Sequence, residues 1–508
     1  MPGGAPRIRA RWARGCSHQP ASTPHPLCSF PPKAITALEE DTAPFNVPFY
    51  HLSEARSYLH KGDGGSKKCD KRIKHSQAEY WRRKMNISRC LSIATALLTL
   101  VALKAYIEWT AEQEERYPTP HGVRWQGDSI TPTQPFEDIS PAFVFHRFNA
   151  SLQQFRHSIP RAKAYWNDKQ YKNFQTLEEG SVVNASWNKC PSAGVEELAT
   201  KIKHFNSYPE LYKNFILYGD CRNYSLLINE PHKCAETKNN TFLLLAIKSV
   251  PGNFAARQAV RDTWGQEGEP GGLAVRTVFL LGTAEGQFRP RLQHLVHFES
   301  QSFGDILMWD FEDTFFNLTL KDSLFLRWTL DYCRGVRFIL KGDDDVFINT
   351  PKVLEYLSLV DANKPLYMGQ VMSNASPFRV HRSKYYVPES FYMGPYPAYA
   401  GGGGYIISGP LASLLLLISQ YVAFYPIDDV YTGLCFQALG ITPQPHDGFM
   451  TFDIAEKDRE DPCVHSQLLL VHRRSPQQTL HLWKQITDPN LQCGQEALKP
   501  QPQKPPGF

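Results

Sequence analysis

FILKGDDDVF, residues 338–347, is the stretch that predicts both the fold and the site of this chain. Its apolar run from Phe338 to Leu340 predicts a buried strand, which ends at Gly342. Three carboxylates follow at 343–345, and they would repel one another unless a cation or hydrogen-bond donors compensated their charge. Carboxylate oxygens favour Mg²⁺ or Mn²⁺, and phosphates commonly accompany such cations. The stretch therefore predicts a divalent metal that holds a nucleotide diphosphate, with a solvated acidic turn as the alternative.

The composition limits the class of protein. With 508 residues, the chain is long enough for a large catalytic domain with appended segments. Its 42% hydrophobic and 21% charged residues are typical of a mostly globular protein. The net charge is only +5 and the central region has no basic block, so the sequence carries no nucleic-acid-binding signature. The pattern G-x-x-x-x-G-K-[ST] is also absent, which argues against a P-loop enzyme.

The first 150 residues predict a membrane-anchored protein. Residues 1–84 are Pro-rich and basic, and they predict a disordered cytoplasmic extension. Residues 85–108 predict a signal-anchor transmembrane helix, because their apolar part reaches the roughly 20 residues that span a bilayer. Basic residues precede this segment and acidic residues follow it, so we expect a single-pass type II topology with a lumenal catalytic domain. Residues 109–150 predict a polar stem, and a cleaved signal peptide is the alternative to the anchor.

Two features of the remaining chain agree with a lumenal location. Seven cysteines follow the apolar segment without C-x₂-C spacing, so we expect disulfides rather than a zinc site. Because seven is an odd number, at least one thiol is free or pairs with another chain, and the connectivity stays open. N-glycosylation is expected at Asn184, Asn223, Asn239 and Asn317, and further sequons occur at Asn149 and Asn374.

Residues 241–493 predict an α/β domain. The apolar stretches FLLLAIKSV at 242–250 and VRTVFLLG at 275–282 predict buried strands, and helical patterns separate the strands. This alternation is typical of a mainly parallel sheet, whose ligands bind beyond the carboxyl ends of the strands. Residues 151–240 predict helices that pack against this domain, and residues 494–508 predict a disordered tail.

Three later stretches supply further candidate site residues. The run Gly401–Gly404 beside two tyrosines predicts a close approach of backbone to a ligand, with a flexible loop as the alternative. In YPIDDVY, one of Asp428 and Asp429 is expected in the site and the other anchored by hydrogen bonds. An ordinary helix N-terminus with acidic residues is the alternative there. His472 follows a buried strand, where a lone histidine is more often structural than a ligand.

Together these stretches resemble glycosyltransferase family 31 over residues 164–493. Within the family, CRNYSLLINEPHKC, the glycine run and TFDIAEKD most resemble the β-1,3-N-acetylglucosaminyltransferases. Residues 1–84 match nothing in the family, and many members carry Glu where Asp428 stands, which keeps the carboxylate. The motifs that carry the resemblance are RQAVRDTWG (257–265), VFLLG (278–282), DILMWDFEDTFFNLTLK (305–321), KGDDDVF (341–347), YPAYAGGGGYIIS (396–408) and DDVYTG (428–433).

The resemblance implies a GT-A-type domain and an inverting transfer of GlcNAc from UDP-GlcNAc to O3 of a terminal galactose. The acceptors would be N-acetyllactosamine-type glycans on glycoproteins or glycolipids, so that the reaction extends poly-N-acetyllactosamine. It further implies a Golgi membrane enzyme with Mn²⁺ or Mg²⁺ as cofactor, in homo- or hetero-oligomers with other glycosyltransferases. The alternatives are a β-1,3-galactosyltransferase of the same family and a non-catalytic glycan-binding or chaperone relative. A non-catalytic relative would ordinarily lose the metal carboxylates or the base, and both are intact here.

The resemblance also assigns roles to individual residues. It makes Asp345 the first metal ligand and His472 the second, with His446 as the runner-up for that second position. Asp343 would hold the donor ribose or reach the metal through water.

The remaining roles concern the base and the two substrates. The second acidic position of DDVYTG makes Asp429 the expected catalytic base, with Asp428 supporting it. The expected donor contacts are Lys248, Arg257, Arg261, Asp343 and Asp344. The expected acceptor contacts are Tyr386, Tyr396, Tyr399, Gly402 and Gly403.

Overall fold

The computed structural model describes residues 104, 141–179, 195–219, 221–235 and 241–494. The predicted extension at 1–84, the predicted membrane segment at 85–108 apart from Lys104, and the tail from 495 onward lie outside the described residues. Within the described ranges, no helix is both long and apolar enough to cross a membrane.

Between residues 141 and 494, the described part of the chain contains the following helices, which we number in chain order. The amino-terminal helices are α1 (Pro141–Ser158), α2 (Tyr165–Glu178), α3 (Val195–Lys201) and α4 (Glu210–Tyr218). Those that follow are α5 (Phe254–Asp262), α6 (Arg289–Phe303), α7 (Leu318–Tyr332), α8 (Thr350–Ser358), α9 (Leu411–Ile418), α10 (Asp428–Ala438), α11 (Pro462–Gln467) and α12 (Pro476–Ile486).

The strands form a large sheet and a small one. The large sheet has the order β1-β4-β3-β2-β5-β8-β7-β9, and the small one β10-β11-β6. The strands are β1 (Leu226–Ile228), β2 (Leu243–Lys248), β3 (Val275–Thr283), β4 (Ile306–Glu312), β5 (Phe338–Asp343), β6 (Val346–Ile348), β7 (Tyr367–Met372), β8 (Tyr399–Ser408), β9 (Gln444–Pro445), β10 (Phe449–Met450) and β11 (Leu470–His472).

The large sheet is mixed but mainly parallel in its centre. Strands β4, β3, β2 and β5 run parallel, whereas β8 pairs antiparallel with β5 and β7 pairs antiparallel with β8. In the register of β2 and β5, Lys248 lies opposite Asp343. The carboxyl ends of the two strands therefore bring a cation and the acidic cluster to the same edge of the sheet, where α/β proteins bind ligands.

Both faces of the central strands are buried, which explains their continuous apolar sequences. In β2, Leu244 and Ala246 belong to one apolar core, while Leu243, Leu245 and Ile247 belong to the core on the other face. Side chains alternate along a strand, so a strand covered on both faces needs apolar residues at consecutive positions.

The amino-terminal helices pack against the segment that precedes α10. The Trp166 Nε1 atom donates to the carbonyl oxygens of Ala423 (3.0 Å) and Phe424 (3.1 Å). The side-chain amide of Gln170 donates to the Tyr421 carbonyl at 2.9 Å, and its oxygen accepts from the Ala423 N–H at 2.7 Å. Helix α2 thus satisfies backbone groups of the buried segment that leads into the paired aspartates.

Two segments differ in conformation from what their sequences suggested. Helix α1 begins at Pro141, inside the segment interpreted as a stem, because Val144, Phe148 and Leu152 recur at helical spacing and are buried. The run Gly401–Gly404 lies within β8, so the alternative of a flexible loop is wrong.

Most of the described cysteines form disulfides, as their spacing predicts. Cys234 bonds to Cys333 and Cys463 bonds to Cys493, while Cys435 is buried as a free thiol. Cys221 is also disulfide-bonded. Cys190 lies outside the described residues.

Gly409, directly after β8, offers a test of the sheet's packing. Its N–H donates to the Arg337 carbonyl at 2.7 Å, and a Cβ atom there would overlap the carbonyl oxygen of Val336. We expect Gly409→Ala to lower the free energy of unfolding by about 1–3 kcal/mol, because rigid backbone has to move. Thermal denaturation measures this loss. Gly252→Ala is the matched control, since nothing lies within 4 Å of its added Cβ, and equal melting of both variants would contradict the prediction.

Candidate active site

A cavity of about 340 Å³ lies at the carboxyl ends of β2 and β5. It collects residues from distant parts of the chain, because the strand ends, the glycine run and the start of α10 meet there. The sequence-predicted residues that line it are Lys248, Asp343, Asp344, Asp345, Tyr396, Tyr399, Gly402, Gly403, Asp428, Asp429 and His472.

Asp343, Asp345 and His472 form a cluster that fits a divalent cation. Their potential ligand atoms all lie within 4.8 Å of one another. The His472 Nε2 atom is 3.1 Å from Asp345 Oδ1 and 4.0 Å from Asp343 Oδ2. The His472 Nδ1 atom is 2.8 Å from the Thr451 carbonyl oxygen, which fixes the ring and, in the neutral tautomer, directs the Nε2 lone pair toward the carboxylates. Two carboxylates and one imidazole are a donor set that suits Mn²⁺ or Mg²⁺.

Within the cluster, His472 and Asp345 each stabilise the charged form of the other. Burial opposes the charged forms of both groups, but the His472 ring holds the pKa of Asp345 below its ordinary value. In turn, the Asp345 carboxylate outweighs burial and raises the pKa of His472. Burial raises the pKa of Asp343, although Lys248 opposes this effect. The cluster therefore concentrates negative charge that a bound cation would compensate.

Lys248 connects the acidic cluster to the start of α10. Its ammonium lies 3.0 Å from Asp343 Oδ1 and 2.7 Å from Asp428 Oδ2, and it is almost fully buried. Burial lowers the pKa of Lys248, but the two carboxylates outweigh it and raise that pKa well above its usual value. Burial likewise opposes the charge of Asp428, yet Lys248 keeps the pKa of Asp428 below normal. Both partners are thus charged, and they hold β2, β5 and α10 together.

Asp429 differs from its neighbour because, among the residues that the structure describes, no cation forms an ion pair with it. Burial, and after it the Asp428 charge, raises the pKa of Asp429 to about 7. The Asp429 Oδ2 atom accepts from the Gly402 N–H at 2.9 Å, and Oδ1 accepts from the Val430 N–H at 2.8 Å. The carboxylate is therefore oriented in the cavity, and its pKa suits a general base at neutral pH.

The glycine run is required by the packing of site residues around β8. A Cβ at Gly402 would lie 3.1 Å from Asp429 Oδ2, and one at Gly403 would lie 2.6 Å from Thr451 Oγ1 and 3.2 Å from His472 Cγ. The Gly403 N–H also donates to Thr451 Oγ1 at 2.8 Å. The absent side chains thus leave room for the base and the histidine.

Asp344 and Arg257, one of the two predicted donor arginines, shape the loop after β2. Asp344 Oδ2 accepts from Ser249 Oγ at 2.6 Å and from Asn253 Nδ2 at 2.9 Å. Arg257 is fully buried, donates to the Val250 carbonyl at 2.7 Å, and pairs with a buried glutamate at 2.7 Å.

Neither predicted arginine lines the cavity within the described part of the chain. Arg257 and Arg261 both pair with Glu299, and Arg261 also pairs with Asp305 at 2.7 Å. Buried carboxylates thus bind the guanidinium groups of both arginines, and direct contact of these arginines with the donor stays a prediction. Arg257 also positions the loop that carries Ser249, because its guanidinium donates to Ser249 Oγ at 3.0 Å and to the Val250 carbonyl at 2.7 Å.

The predicted acceptor tyrosines divide into two groups. Tyr396 and Tyr399 line the cavity, and the Tyr396 hydroxyl accepts a hydrogen bond from Tyr425 at 3.0 Å. Tyr386 stacks on His381 and does not line the cavity that the described residues enclose, whereas its neighbour Tyr385 does.

His446, the runner-up ligand, is also absent from the lining of that cavity. Its ring packs edge-on against Tyr356, with centroids 4.8 Å apart, and its Nδ1 accepts from the Gly448 N–H at 2.9 Å. His472 therefore holds the ligand position in this structure.

Two further site residues lie in stretches that carry the family resemblance, TFDIAEKD and DILMWDFEDTFFNLTLK, but the sequence assigned no role to either. Thr451 holds His472 and Gly403 through its carbonyl and hydroxyl oxygens, although it lies about twenty residues before His472 and fifty after Gly403 in the chain. Lys321 lines the cavity from α7, where its ammonium donates to the Ser249 carbonyl at 2.7 Å and pairs with Asp313 at 2.8 Å.

The predicted glycosylation sites differ in exposure. Asn149, Asn223 and Asn374 are exposed, whereas Asn317 is half-buried and its side-chain amide donates to the Glu312 carbonyl at 2.8 Å. Asn184 and Asn239 lie outside the described residues.

Comparison with known proteins adds an independent set of findings. The sequence pattern of the galactosyltransferase family matches residues 255–447. N-acetyllactosaminide β-1,3-N-acetylglucosaminyltransferase 2 of Mus musculus is 47% identical over 350 residues, which are 66% of this chain and 87% of the relative. UDP-GlcNAc:betaGal β-1,3-N-acetylglucosaminyltransferase 8 of Homo sapiens is 42% identical over 418 residues, which are 80% of this chain and 100% of the relative.

Among solved structures, the galactosyltransferase LgtC in complex with donor and acceptor sugar analogues overlaps 46% of this chain and 87% of its own. The identity is 13% and the TM-score is 0.25, a similarity too low to support any conclusion.

If the cluster binds a cation, substitution of its ligand residues should weaken metal binding, and substitution of a nearby residue outside it should not. We expect Asp345→Asn and His472→Ala each to weaken Mn²⁺ binding at least about tenfold, because each removes a ligand atom from the cluster. Calorimetric titration with Mn²⁺ measures this affinity. Asp344→Asn is the control, since Asp344 bonds to Ser249 and Asn253 rather than to the cluster. Equal Mn²⁺ affinity in Asp345→Asn and Asp344→Asn would refute the site.

Proposed function

Because this chain belongs to the galactosyltransferase family, glycosyltransferase family 31, we propose that it transfers GlcNAc from UDP-GlcNAc to O3 of a terminal galactose on N-acetyllactosamine-type glycans. The names of both relatives support this reaction, since each is a β-1,3-N-acetylglucosaminyltransferase and one name specifies UDP-GlcNAc and β-galactose. We further propose that the domain is of the GT-A type, which the mainly parallel sheet and the acidic end of β5 support.

One observation carries the proposal: Asp429 lies in the same cavity as Asp343, Asp345 and His472, the cluster that fits a divalent cation. Direct displacement at the anomeric carbon needs one base for the acceptor hydroxyl and no protein nucleophile. The oriented Asp429 carboxylate would accept the proton of the galactose 3-hydroxyl while that oxygen bonds to the anomeric carbon of GlcNAc. The bond from that carbon to the diphosphate breaks, its electron pair stays on the phosphate oxygen, and the configuration at the carbon inverts.

The donor side of the cavity would bind the diphosphate and the ribose. Asp345 and His472 would hold a divalent cation, and Asp343 would assist them or contact the ribose. When bound, the cation would neutralise charge on the departing diphosphate. Lys248 keeps Asp343 in place through their ion pair, and β2 and β5 supply the rigid support.

The acceptor side of the cavity is aromatic. Tyr396 and Tyr399 line it together with Phe315, Phe378 and Tyr385. Aromatic rings pack against the apolar faces of sugars, so we propose that this wall orients the galactose-terminated chain toward Asp429.

A donor and acceptor panel tests the reaction. The purified lumenal domain is incubated with UDP-GlcNAc or UDP-galactose and with galactose-terminated or GlcNAc-terminated oligosaccharides, with and without a chelator. We expect GlcNAc transfer to galactose-terminated acceptors that stops on chelation, and linkage analysis should find the new bond at O3. Preferential use of UDP-galactose would instead support the β-1,3-galactosyltransferase alternative.

We also propose that the chain is a single-pass type II protein of the Golgi membrane. The exposed sequons at Asn149, Asn223 and Asn374 and the described disulfides suit an oxidising lumen. Peptide N-glycosidase treatment of the full chain from cells should increase its mobility, and microscopy should locate it with Golgi markers. A chain without glycans would contradict lumenal placement.

The base assignment predicts a loss of rate without loss of donor binding. We expect Asp429→Asn to reduce the transfer rate by about 10²–10⁴, because an amide keeps the shape but cannot accept the proton. Asp447→Asn, at an exposed residue away from the cavity lining, is the matched control. Steady-state kinetics and UDP binding measure the two effects. Transfer at the wild-type rate in Asp429→Asn would eliminate this carboxylate as the base.

The raised pKa of Asp429 predicts how the rate depends on pH. Because the pKa is about 7, the charged form that acts as a base is depleted as the pH falls below that value. We expect the transfer rate to fall about tenfold per pH unit in the acidic range and to reach a plateau on the alkaline side. Rates at saturating Mn²⁺ and donor give the profile, and UDP affinity across the same range is the control. A flat rate profile through neutral pH would contradict the raised pKa.

A further inference from the structure

The turn that follows β11 has a backbone conformation that its sequence does not favour. Arg473, directly after the ligand His472, has a φ of 62°, which is the left-handed region that side chains with a Cβ atom disfavour. Strain of this kind persists only where the surrounding structure imposes it, and it is commonly found at functional sites. The turn lies outside residues 255–447, which match the galactosyltransferase family pattern.

Arg474 imposes this conformation from inside the protein. Its guanidinium is buried, and its Nη1 atom donates to the carbonyl oxygens of His472 (3.1 Å) and Arg473 (3.0 Å). The same Nη1 atom donates to Asp453 Oδ1 at 2.7 Å. The backbone N–H of Arg474 donates to the Asp345 carbonyl at 2.7 Å. The buried side chain of Arg474 therefore holds the turn, and its backbone N–H connects the turn to the backbone of Asp345.

Asp453 completes this arrangement at a second strained position. It has a φ of 80°, and its Oδ2 atom pairs with Arg459 at 2.5 Å. The Asp453 carboxylate is thus held between two arginines while it anchors Arg474. Arg473 and Asp453 are thus both in the left-handed region, and the buried Arg474 side chain joins them. These contacts support the observed conformation of the Arg473 backbone.

The result is an exposed guanidinium on the wall of the cavity. Arg473 lines the cavity beside His472, and within the described ranges no carboxylate forms an ion pair with it. Of the other cations that line the cavity, Lys248 pairs with Asp343 and Asp428, Lys321 pairs with Asp313, and Lys384 lies over the rings of Phe315 and Tyr385 on the aromatic wall. Among the described residues, Arg473 is therefore the cation beside the cluster of Asp343, Asp345 and His472 that has donors available for a ligand.

We infer that Arg473 binds the diphosphate of the sugar-nucleotide donor and that the buried Arg474–Asp453 pair positions it for that contact. The inference rests on the proposed function, because it needs a nucleotide diphosphate at the cluster. A planar guanidinium can donate two parallel hydrogen bonds to phosphate oxygens, and such charge-assisted bonds are among the strongest in proteins. Its position would compensate the negative charge that the β-phosphate gains as the sugar leaves.

Three substitutions separate binding from backbone strain. Arg473→Gly removes the guanidinium and also relieves the strain, because glycine adopts positive φ freely. Arg473→Lys keeps the charge without the paired donors. Arg291→Gln changes an exposed arginine that does not line the cavity, and it serves as the matched control.

We expect Arg473→Gly to weaken UDP binding at least about tenfold at saturating Mn²⁺, and Arg473→Lys to weaken it less. Binding of uridine, which has no phosphate, should stay within about twofold of wild type in every variant, and so should Mn²⁺ affinity without nucleotide. The melting temperature of Arg473→Gly should equal or exceed that of wild type, because its turn is unstrained. Titration calorimetry, uridine competition and thermal denaturation give these values.

Several results would overturn the inference. Unchanged UDP affinity in Arg473→Gly would show that the guanidinium does not contact the diphosphate. Equal weakening of UDP and uridine, a loss of Mn²⁺ affinity, or a lower melting temperature would show a structural role instead. Failure of the proposed function is distinguishable, because the wild-type protein would then transfer no GlcNAc, whatever residue stands at 473, and a protein that uses no uridine diphosphate sugar would also not bind UDP.

Discussion

The site depends on the ion pairs that the buried Lys248 ammonium forms with Asp343 and Asp428. Its side chain is only 5% exposed, and it lies 3.0 Å from Asp343 and 2.7 Å from Asp428. Burying an unpaired charge costs several kcal/mol, so the two carboxylates have to remain in contact with it. The ammonium therefore joins the end of β2 to the end of β5 and to the first residue of α10. That connection sets the distance between the cluster of Asp343, Asp345 and His472 and the Asp429 carboxylate.

The same ammonium also gives two adjacent aspartates, Asp428 and Asp429, different pKa values. Asp428 contacts it and has a lowered pKa, whereas Asp429 accepts hydrogen bonds from the backbone N–H groups of Gly402 and Val430 and has a pKa of about 7. Neighbouring carboxylates with pKa values pushed apart in this way can divide structural and proton-transfer roles between them. This difference between the two aspartates follows from the contact of Lys248 with Asp428. Gly402, which has no side chain, leaves space for the Asp429 carboxylate.

Buried arginines shape the loops that surround the cluster. Arg257 contacts Glu299 beneath the loop after β2, and Arg474 contacts Asp453 beneath the turn after β11. A basic residue after a strand resembles a phosphate ligand in sequence, which is why Arg257 and Arg261 were predicted to contact the donor. Their acidic partners lie about forty residues further along the chain, so no local pattern indicates the pairing. By contrast, Arg473 is left exposed because its own neighbour, Arg474, occupies the buried position.

The sequence by itself determined the alternation of buried strands and helices, the acidic end of β5 and the paired aspartates at α10. These features could be predicted because hydrophobic periodicity and strand ends are local properties of the chain. Only the tertiary structure decided that His472 rather than His446 faces the carboxylates, that Thr451 holds His472, and that the glycine run lies in a strand. The physical reason is that each of these depends on a contact between residues far apart in the chain. Burial and charge act through space, and their partners are set by how the strands and helices pack.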